Sequence, residues 1–454
     1  MSARNHKQDD AGDATLRGHV AAALTAAGVQ SGRLVLGLSG GMDSMVLLDL
    51  LSALRTESSF DLRALHINHQ LSPHAQEWSA VCAQRCHDYS VPFSAVRVDI
   101  RPDSPDGLEG AARRARYAVF AMQEADAVML AHHLDDQAET LLLQLLRGAG
   151  PRGLAAMPVE RPIAGTGKPL LLRPLLEIER GRIEDYARRR GLSWIEDESN
   201  ADPQRDRNYL RHEILPRLSA RFPGYRQTWL RASRNFADLS EIADAQALAD
   251  ASGVVSSDGL QVERLRELSP ARAANLLRWY VVRAGLPVPR RDQLAELLRQ
   301  FTDSRNDAQP SMQLGHAHVY RHRGLLRIGP AAAATTRGWR VHWSGEPEVA
   351  LPDSLGRVQF QQLTGAGLDT TRLAGKSLVL RTRDGGERMQ LAADRPTRTL
   401  KNLLQEAGIP HWRRQLLPLL EWDGQVLWTA EVGIDCRFRA APDQPGVLPV
   451  WLQD

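Results

Sequence analysis

Lysine is nearly missing from this chain. Only Lys7, Lys168, Lys376 and Lys401 carry an ammonium, so the basic side is built from arginine. The planar guanidinium fork suits phosphate, so its placement matters more than the small net charge of +3. Cysteine is equally scarce: Cys82, Cys86 and Cys436 are too few and odd in number for a disulfide framework and fit a reducing compartment. The CxxxC spacing of Cys82 and Cys86 suits buried free thiols better than a metal or redox pair. No apolar run nears the roughly 18 residues of a membrane span. The opening MSARNHKQDDAGD has neither an apolar signal core nor an acid-poor transit character. The expectation is a cytosolic chain with no membrane contact.

What is present is an ordinary globular mixture, 43% apolar and 24% charged over 454 residues, enough for about two to four packed domains. From Gly32 to about Leu215, short apolar runs (RLVLGLS, LRALHIN, FSAVRV, AVMLAHH) alternate with helical periodicity over Met42–Leu54, Leu108–Glu124 and Asp135–Arg147. This alternation predicts an α/β domain, a parallel sheet with helices on both faces. A helix over Arg180–Arg190 and the run LSWIE are expected to extend the sheet. Apolar residues three and four apart from about Tyr225 to Gln300 predict a helical middle domain. PAAAATTRGW, from Pro330, reads as a connection. Beyond it, the runs VHWSG, SLVLRTR and QVLWTAEVGID with one amphipathic helix over Thr399–Glu406 predict a small α+β domain. The expected divisions are a disordered start (1–15), a nucleotide-binding domain (16–222), a helical domain (223–330), a connection (331–370) and a carboxy-terminal domain (371–454). Within 371–415, ten basic residues face four acidic ones, a surplus of +6 that marks either a polyanion surface or a solvated face.

The strongest local signal is SGGMDS, between a buried strand and a helix. Gly40 and Gly41 let backbone approach a ligand, the helix start supplies unpaired N–H groups, and Ser39 and Ser44 add hydroxyls. Ser39, Gly40, Gly41, Met42, Asp43 and Ser44 are thus the candidate nucleotide loop, with Asp43 a candidate ligand for the Mg²⁺ that accompanies a pyrophosphate. In LAHHLDDQAET, a helix starting near His132 would carry His132, Asp136 and Glu139 on one face. Such a cluster suits a metal, a solvated helix cap or a cationic amine, and the residue types alone do not choose between them. Arg113 and Arg116 lie three apart, and Arg207 and Arg211 four apart. Each pair reads as a phosphate-binding stripe or a solvated face, the second being able to pair with Asp197 and Glu213.

SGGMDS after a first strand resembles the loop of the pyrophosphate-loop ATP pyrophosphatases. The blocks LHINHQLS, EGAARRARY, LAHHLDDQAET with GAGPRGLAAM, and RPLLEIERGRIEDYARRRGLSWIEDESN followed by RNYLRHEILPRL occur in the order typical of the tRNA(Ile)-lysidine synthetase family. The likeness continues through the middle and carboxy-terminal segments. Ser72 stands where an arginine is common in the family, and Glu198 where a proline is.

The resemblance implies an adenine-nucleotide α-hydrolase-like first domain that uses ATP and Mg²⁺. It implies adenylation of C2 of the wobble cytidine of tRNA(Ile) with a CAU anticodon, followed by attack of the ε-amine of L-lysine. Catalytic roles then fall to Asp43, Arg113, Asp136 and Glu139. Lysine and tRNA contacts fall to His132, His133, Asp136, Glu139, Arg116, Arg207 and Arg211, with a homodimer compatible. Because free lysine, with a pKa near 10.4, is uncharged in only about one molecule in a few thousand at pH 7, a carboxylate or imidazole must take its proton. The rival readings are a tRNA thiolase of the same fold and a noncatalytic tRNA-binding protein. Cys82 and Cys86 do not supply a thiolase's cysteine pair, and the intact loop argues against decay.

Overall fold

The computed structural model describes residues 2–100, 107–163, 169–198, 202–304, 310–315, 317–330, 338–352, 355–409 and 413–452, with side chains from residue 13 onward except at 109 and 330. The chain divides into two compact units, Met1–Ala245 and Gln246–Asp454.

The first unit is built on a six-stranded sheet. Its strands are β1 (Arg33–Gly37), β2 (Asp61–Asn68), β3 (Phe93–Arg97), β4 (Ala127–Met129), β5 (Glu160–Pro162) and β6 (Leu170–Leu172), in the order β3-β2-β1-β4-β6-β5. All neighbours are parallel except β5, which runs antiparallel to β6 at the edge. Successive residues point to opposite faces, and both faces are covered, so the strands read as nearly continuous apolar runs. Leu34, Leu36, Ala64, Met129 and Leu172 turn to one side, against α1 (Ser2–Ala26), α2 (Met42–Leu54), α3 (Ala75–Asp88) and, later in the chain, the helix Arg180–Arg189. Val35, Leu65, Val128 and Leu171 turn to the other, against Phe120 of α4 (Gly107–Ala121). The thiols of Cys82 and Cys86 are free and buried in the first of these layers, and burial pushes them up to about 12 and about 11.

Three expectations change here. The backbone of α1 is helical back to Ser2, inside the stretch expected to be disordered. LSWIE is not a strand: Ile195 donates its N–H to the Gly40 carbonyl at 2.9 Å, which commits this segment to the loop after β1. The sheet is extended by β6 and β5 instead. The division between units falls inside the helix Tyr225–Ala251 rather than at 222/223. Its start buries Tyr225 beside Ala138 and Leu215, whereas Ala251 joins the core of the second unit.

In the second unit, the helical middle region also carries a five-stranded sheet: Val255–Ser256, Gly259–Gln261, Leu325–Pro330, Ala317–His322 and Ser311–Leu314, in that spatial order. The helices Pro270–Arg283 and Arg291–Asp303 bury Leu276, Leu277, Leu297 and Phe301 with it. The carboxy-terminal region is β-rich around one core containing Val358, Leu380, Leu420, Leu427 and Val447. Part of the stretch read as a connection belongs to it, since Arg357–Thr364 pairs along its whole length with Pro445–Leu452. The helix Leu400–Glu406 lies where expected, with Thr399 capping Asn402 N–H. Among the described residues no helix is long and apolar enough to cross a membrane.

Candidate active site

The strand order β3-β2-β1-β4 reverses direction beside β1, and in open α/β sheets the crevice at the carboxyl ends of such strands is where ligands sit. A cavity of about 620 Å³ opens there, lined by Leu38, Ser39, Asn68, His69, Arg116 and Asp197 among others. β1 ends in the SGGMDS turn. Gly40 adopts φ +91°, and a Cβ on it would stand 2.6 Å from Ile195 Cδ1 and 3.1 Å from Cys82 Sγ, so the position demands glycine. The loop is closed by its own serines. Ser44 Oγ accepts from Gly40 N–H at 3.2 Å and donates to Gly41 O at 2.9 Å, while Ser39 Oγ accepts from Gly41 N–H at 3.3 Å. Gly41 caps α2, which places Met42 and Asp43 in its first turn, where anions are favoured.

Asp43 Oδ1 is buried without a hydrogen-bond partner, and Oδ2 lies 3.6 Å from His133 Nε2. An orphaned carboxylate oxygen beside a phosphate cradle fits a hard divalent cation shared with a nucleotide. Among the described residues no group of three or more His, Cys, Asp or Glu is arranged to hold a metal, which leaves the metal-cluster reading of His132, Asp136 and Glu139 without a geometric basis there.

The helix expected from His132 begins at Leu134 (α5, Leu134–Leu146), because His133 is extended and acts as its cap. His133 Nδ1 accepts from Asp136 N–H at 3.4 Å, and Asp136 Oδ2 accepts from His133 N–H at 3.0 Å. His133 Nε2 then faces both Asp43 Oδ2 and Asp136 Oδ2, the latter at 3.5 Å. Burial lowers its pKa, but Asp136, Asp43 and Asp135 outweigh burial and the net direction is upward.

His132 stands outside the helix. Its Nδ1 accepts from Arg173 Nε at 3.3 Å, and burial, reinforced by Arg173 and Arg207, lowers its pKa to about 3, so it is a neutral imidazole at physiological pH.

Asp136 and Glu139 do share one face of α5, as their spacing predicts. Both are buried, and both are engaged by Arg207 and Arg211 rather than open to solvent. Arg207 Nε meets Glu139 Oε2 at 2.6 Å and its Nη2 meets Asp136 Oδ1 at 2.8 Å. Arg211 Nε meets Glu139 Oε1 at 2.6 Å and its Nη2 meets Asp136 Oδ1 at 3.2 Å. Burial would raise the Asp136 carboxyl, but His133 and Arg207 hold it far below the usual carboxylate range. In this arrangement Asp136 is a fixed anion. Arg211 sits on a π-helical turn, Leu210–Ile214, a distortion common at functional sites and invisible to a 3.6-residue pattern.

Arg116 lines the cavity, whereas Arg113 turns toward Tyr117, with Nη2 3.5 Å from the hydroxyl. His69, which sequence reasoning passed over within LHINHQLS, also lines the cavity. Burial, Arg116 and His66 lower its pKa to about 4.

Residues 16–218 match the PP-loop domain family, 260–327 the TilS substrate binding domain, and 378–451 the TilS substrate C-terminal domain. A tRNA(Ile)-lysidine synthase of Nitrosomonas europaea is 41% identical over 420 residues, 92% of each chain. That of Aromatoleum aromaticum is 40% identical over 431 residues, 92% of this chain and 97% of its own. This chain belongs to the tRNA(Ile)-lysidine synthase family. Among solved structures, the U34-tRNA thiolase NcsA of Methanococcus maripaludis matches 50% of this chain and 80% of its own, at 18% identity and a TM-score of 0.43.

For a tRNA(Ile)-lysidine synthase family member, the basic surplus at 371–415 invites assignment to RNA, but much of it is consumed within the domain. Arg381 pairs with Glu421 at 2.6 Å, Arg413 with Glu431 at 2.7 Å, and Arg372 with Asp369 at 3.3 Å. These acidic partners lie outside the counted stretch, so the local sum overstated the free charge. Trp412, expected as part of an RNA surface, lies outside the described residues.

Proposed function

We propose that this chain carries out the ATP-dependent formation of lysidine on tRNA(Ile) at the site assembled by the SGGMDS loop, α5 and the arginines of RNYLRHEI. The SGGMDS loop and the start of α2 receive the phosphates of ATP, and the cavity at the ends of β1 and β2 takes its nucleoside. Asp43 would hold Mg²⁺, which supplies neutralisation of the phosphate charge. Preorganised donors aimed at developing charge lower the barrier to adenylation of the cytidine C2 oxygen. The target base must leave its stack to reach them. A folded tRNA is held mainly through its phosphates, so its affinity falls with salt.

Lysine then attacks C2 and AMP leaves. Asp136 and Glu139 take the ε-ammonium in exchange for a guanidinium of Arg207 or Arg211, and the displaced arginine is freed toward phosphate. A carboxylate that loses a guanidinium becomes more basic, which favours transfer of the ammonium proton at the moment of attack. Cytoplasmic residence fits the buried free thiols.

The observation that carries this reading is the buried carboxylate pair joined to the nucleotide loop through His133, with Nε2 facing both Asp43 and Asp136. The test is nucleoside mass analysis of an isoleucine tRNA incubated with protein, ATP and labelled lysine. Labelled lysidine is expected, and a sulfur donor in place of lysine should leave the cytidine unchanged. Asp136→Asn and Glu139→Gln proteins that kept both lysine affinity and turnover would refute the assignment of the amine site.

A further inference from the structure

Beside the nucleotide cavity, three guanidiniums converge on one phenol. Tyr117 lies one helical turn after Arg113 on α4, and its hydroxyl is 3.5 Å from Arg113 Nη2 and 3.5 Å from Arg173 Nη2. The guanidinium carbons of Arg113 and Arg161 stand 5.2 and 5.0 Å from the Tyr117 ring centroid. Arg173 follows β6 directly and is 1% exposed. Its Nη1 donates to Pro158 O at 2.7 Å and its Nε to His132 Nδ1. Arg161 comes from the antiparallel edge strand β5, with Nη1 on Pro162 O at 3.2 Å. Carbonyls, an imidazole and a phenol thus fix these three cations. Among the described residues no carboxylate pairs with any of them.

A buried cation without a counter-ion is costly, and folds rarely retain one without an anion to meet it. The titration directions agree. Burial, then Arg161 and Arg113, lower Arg173 despite the support of Tyr117. The Tyr117 phenol is lowered even though burial alone would raise it, because Arg113, Arg173 and Arg161 surround it. Arg173 is the buried member, Arg161 is half-buried and Arg113 is exposed, so the three cations run from the interior to solvent. Arg116, one turn along the same face of α4 as Ala112, lines the cavity, so the group adjoins the nucleotide site without belonging to its loop.

We propose that Arg113, Arg161 and Arg173, gathered on the Tyr117 hydroxyl, form a binding site for a phosphate oxyanion. Its source is either a phosphodiester of the RNA strand next to the target cytidine or the pyrophosphate released from ATP. The inference rests on the reading of the cavity as the site of RNA adenylation. Guanidinium forks bind phosphate oxygens in pairs, and the phenol O–H adds a donor.

The test uses the full chain as wild type, Arg161→Gln and Tyr117→Phe. Arg161 sits on an edge strand and Tyr117→Phe keeps the ring, so each change spares the core. Two measurements are made on each: the affinity of an isoleucine tRNA transcript across a salt series without ATP, and the affinity of magnesium pyrophosphate by calorimetry. If the anion is an RNA phosphodiester, Arg161→Gln weakens tRNA about tenfold and lowers the log–log salt slope by about one, with pyrophosphate unchanged. If it is the leaving group, pyrophosphate binding weakens about tenfold and tRNA binding does not. Should Arg161→Gln unfold, Arg161→Lys keeps the charge without the fork and is expected to show a smaller loss on the same ligand. Folded variants that bind both ligands as wild type does overturn the site. Wild type that makes no lysidine overturns the reading it rests on, and the two failures are therefore distinct.

Discussion

Arg211 holds Glu139 through two nitrogens, Nε on Oε1 at 2.6 Å and Nη2 on Oε2 at 3.0 Å, with the Glu139 side chain 1% exposed. The residue expected to meet lysine is thus already satisfied by a cation of the chain itself. On the proposed function, lysine binding at this pair is an exchange between cations, which avoids the cost of exposing a bare buried carboxylate.

Breaking that pair from either side should have unequal consequences. Glu139→Gln leaves two guanidiniums sharing Asp136 alone and is expected to lower unfolding free energy by about 3 kcal/mol. Arg207→Gln leaves Arg211 on both carboxylates and should cost about 1 kcal/mol. Chemical denaturation of the two variants beside wild type measures the difference, and equal losses would contradict the arrangement.

Gly40→Ala should weaken nucleotide binding while leaving the fold intact. The new Cβ would collide with Ile195 Cδ1, and φ +91° is strained for alanine. ATP affinity is expected to fall at least about tenfold, the loss of one charge-assisted contact. Gly28→Ala is the control, because it shares a positive φ of +67° but meets nothing within 4 Å. Titration calorimetry with ATP reads the result, and circular dichroism reads the fold.

Stability should fall as pH drops below about 6.5. His69 and His132 have folded pKa values of about 4 and about 3, lowered first by burial. Between those values and the unfolded value near 6.5, the unfolded chain binds more protons, so unfolding free energy rises with pH across that window and is lost on acidification. His69→Gln and His132→Asn should each flatten the slope of denaturation midpoint against pH between 4 and 6.5. An unchanged slope in the double variant would contradict the burial of neutral imidazoles.

In the carboxy-terminal domain, Arg395 and Lys401 are exposed and no carboxylate pairs with either among the described residues, whereas Arg381 is 6% exposed between Glu421 and Glu387. Arg395→Gln and Lys401→Gln should leave the melting temperature unchanged. If these side chains meet RNA phosphate, each also lowers the salt slope of tRNA binding by about one. Arg381→Gln should lower stability by about 3 kcal/mol through its stranded partners. Melting curves and salt-dependent filter binding separate the two classes.

The chain's own order of residues determined the parts that depend on near neighbours. Alternating strand runs, the helix Met42–Leu54, the glycine-dependent turn at Gly40 and the shared face of Asp136 and Glu139 all follow from periods of two and 3.6 and from the freedom of glycine. Tertiary structure decided what those residues meet. Ile195 left a strand-like run because its N–H found Gly40, the strand Arg357–Thr364 needed a partner that arrives only at Pro445–Leu452, and Arg207 and Arg211 found carboxylates some seventy positions earlier. Part of the surplus charge of 371–415 was likewise offset by Asp369, Glu421 and Glu431 from beyond it. Local conformation is set by short-range sterics and apolar spacing, whereas electrostatic pairing depends on distance through space, which sequence position does not encode.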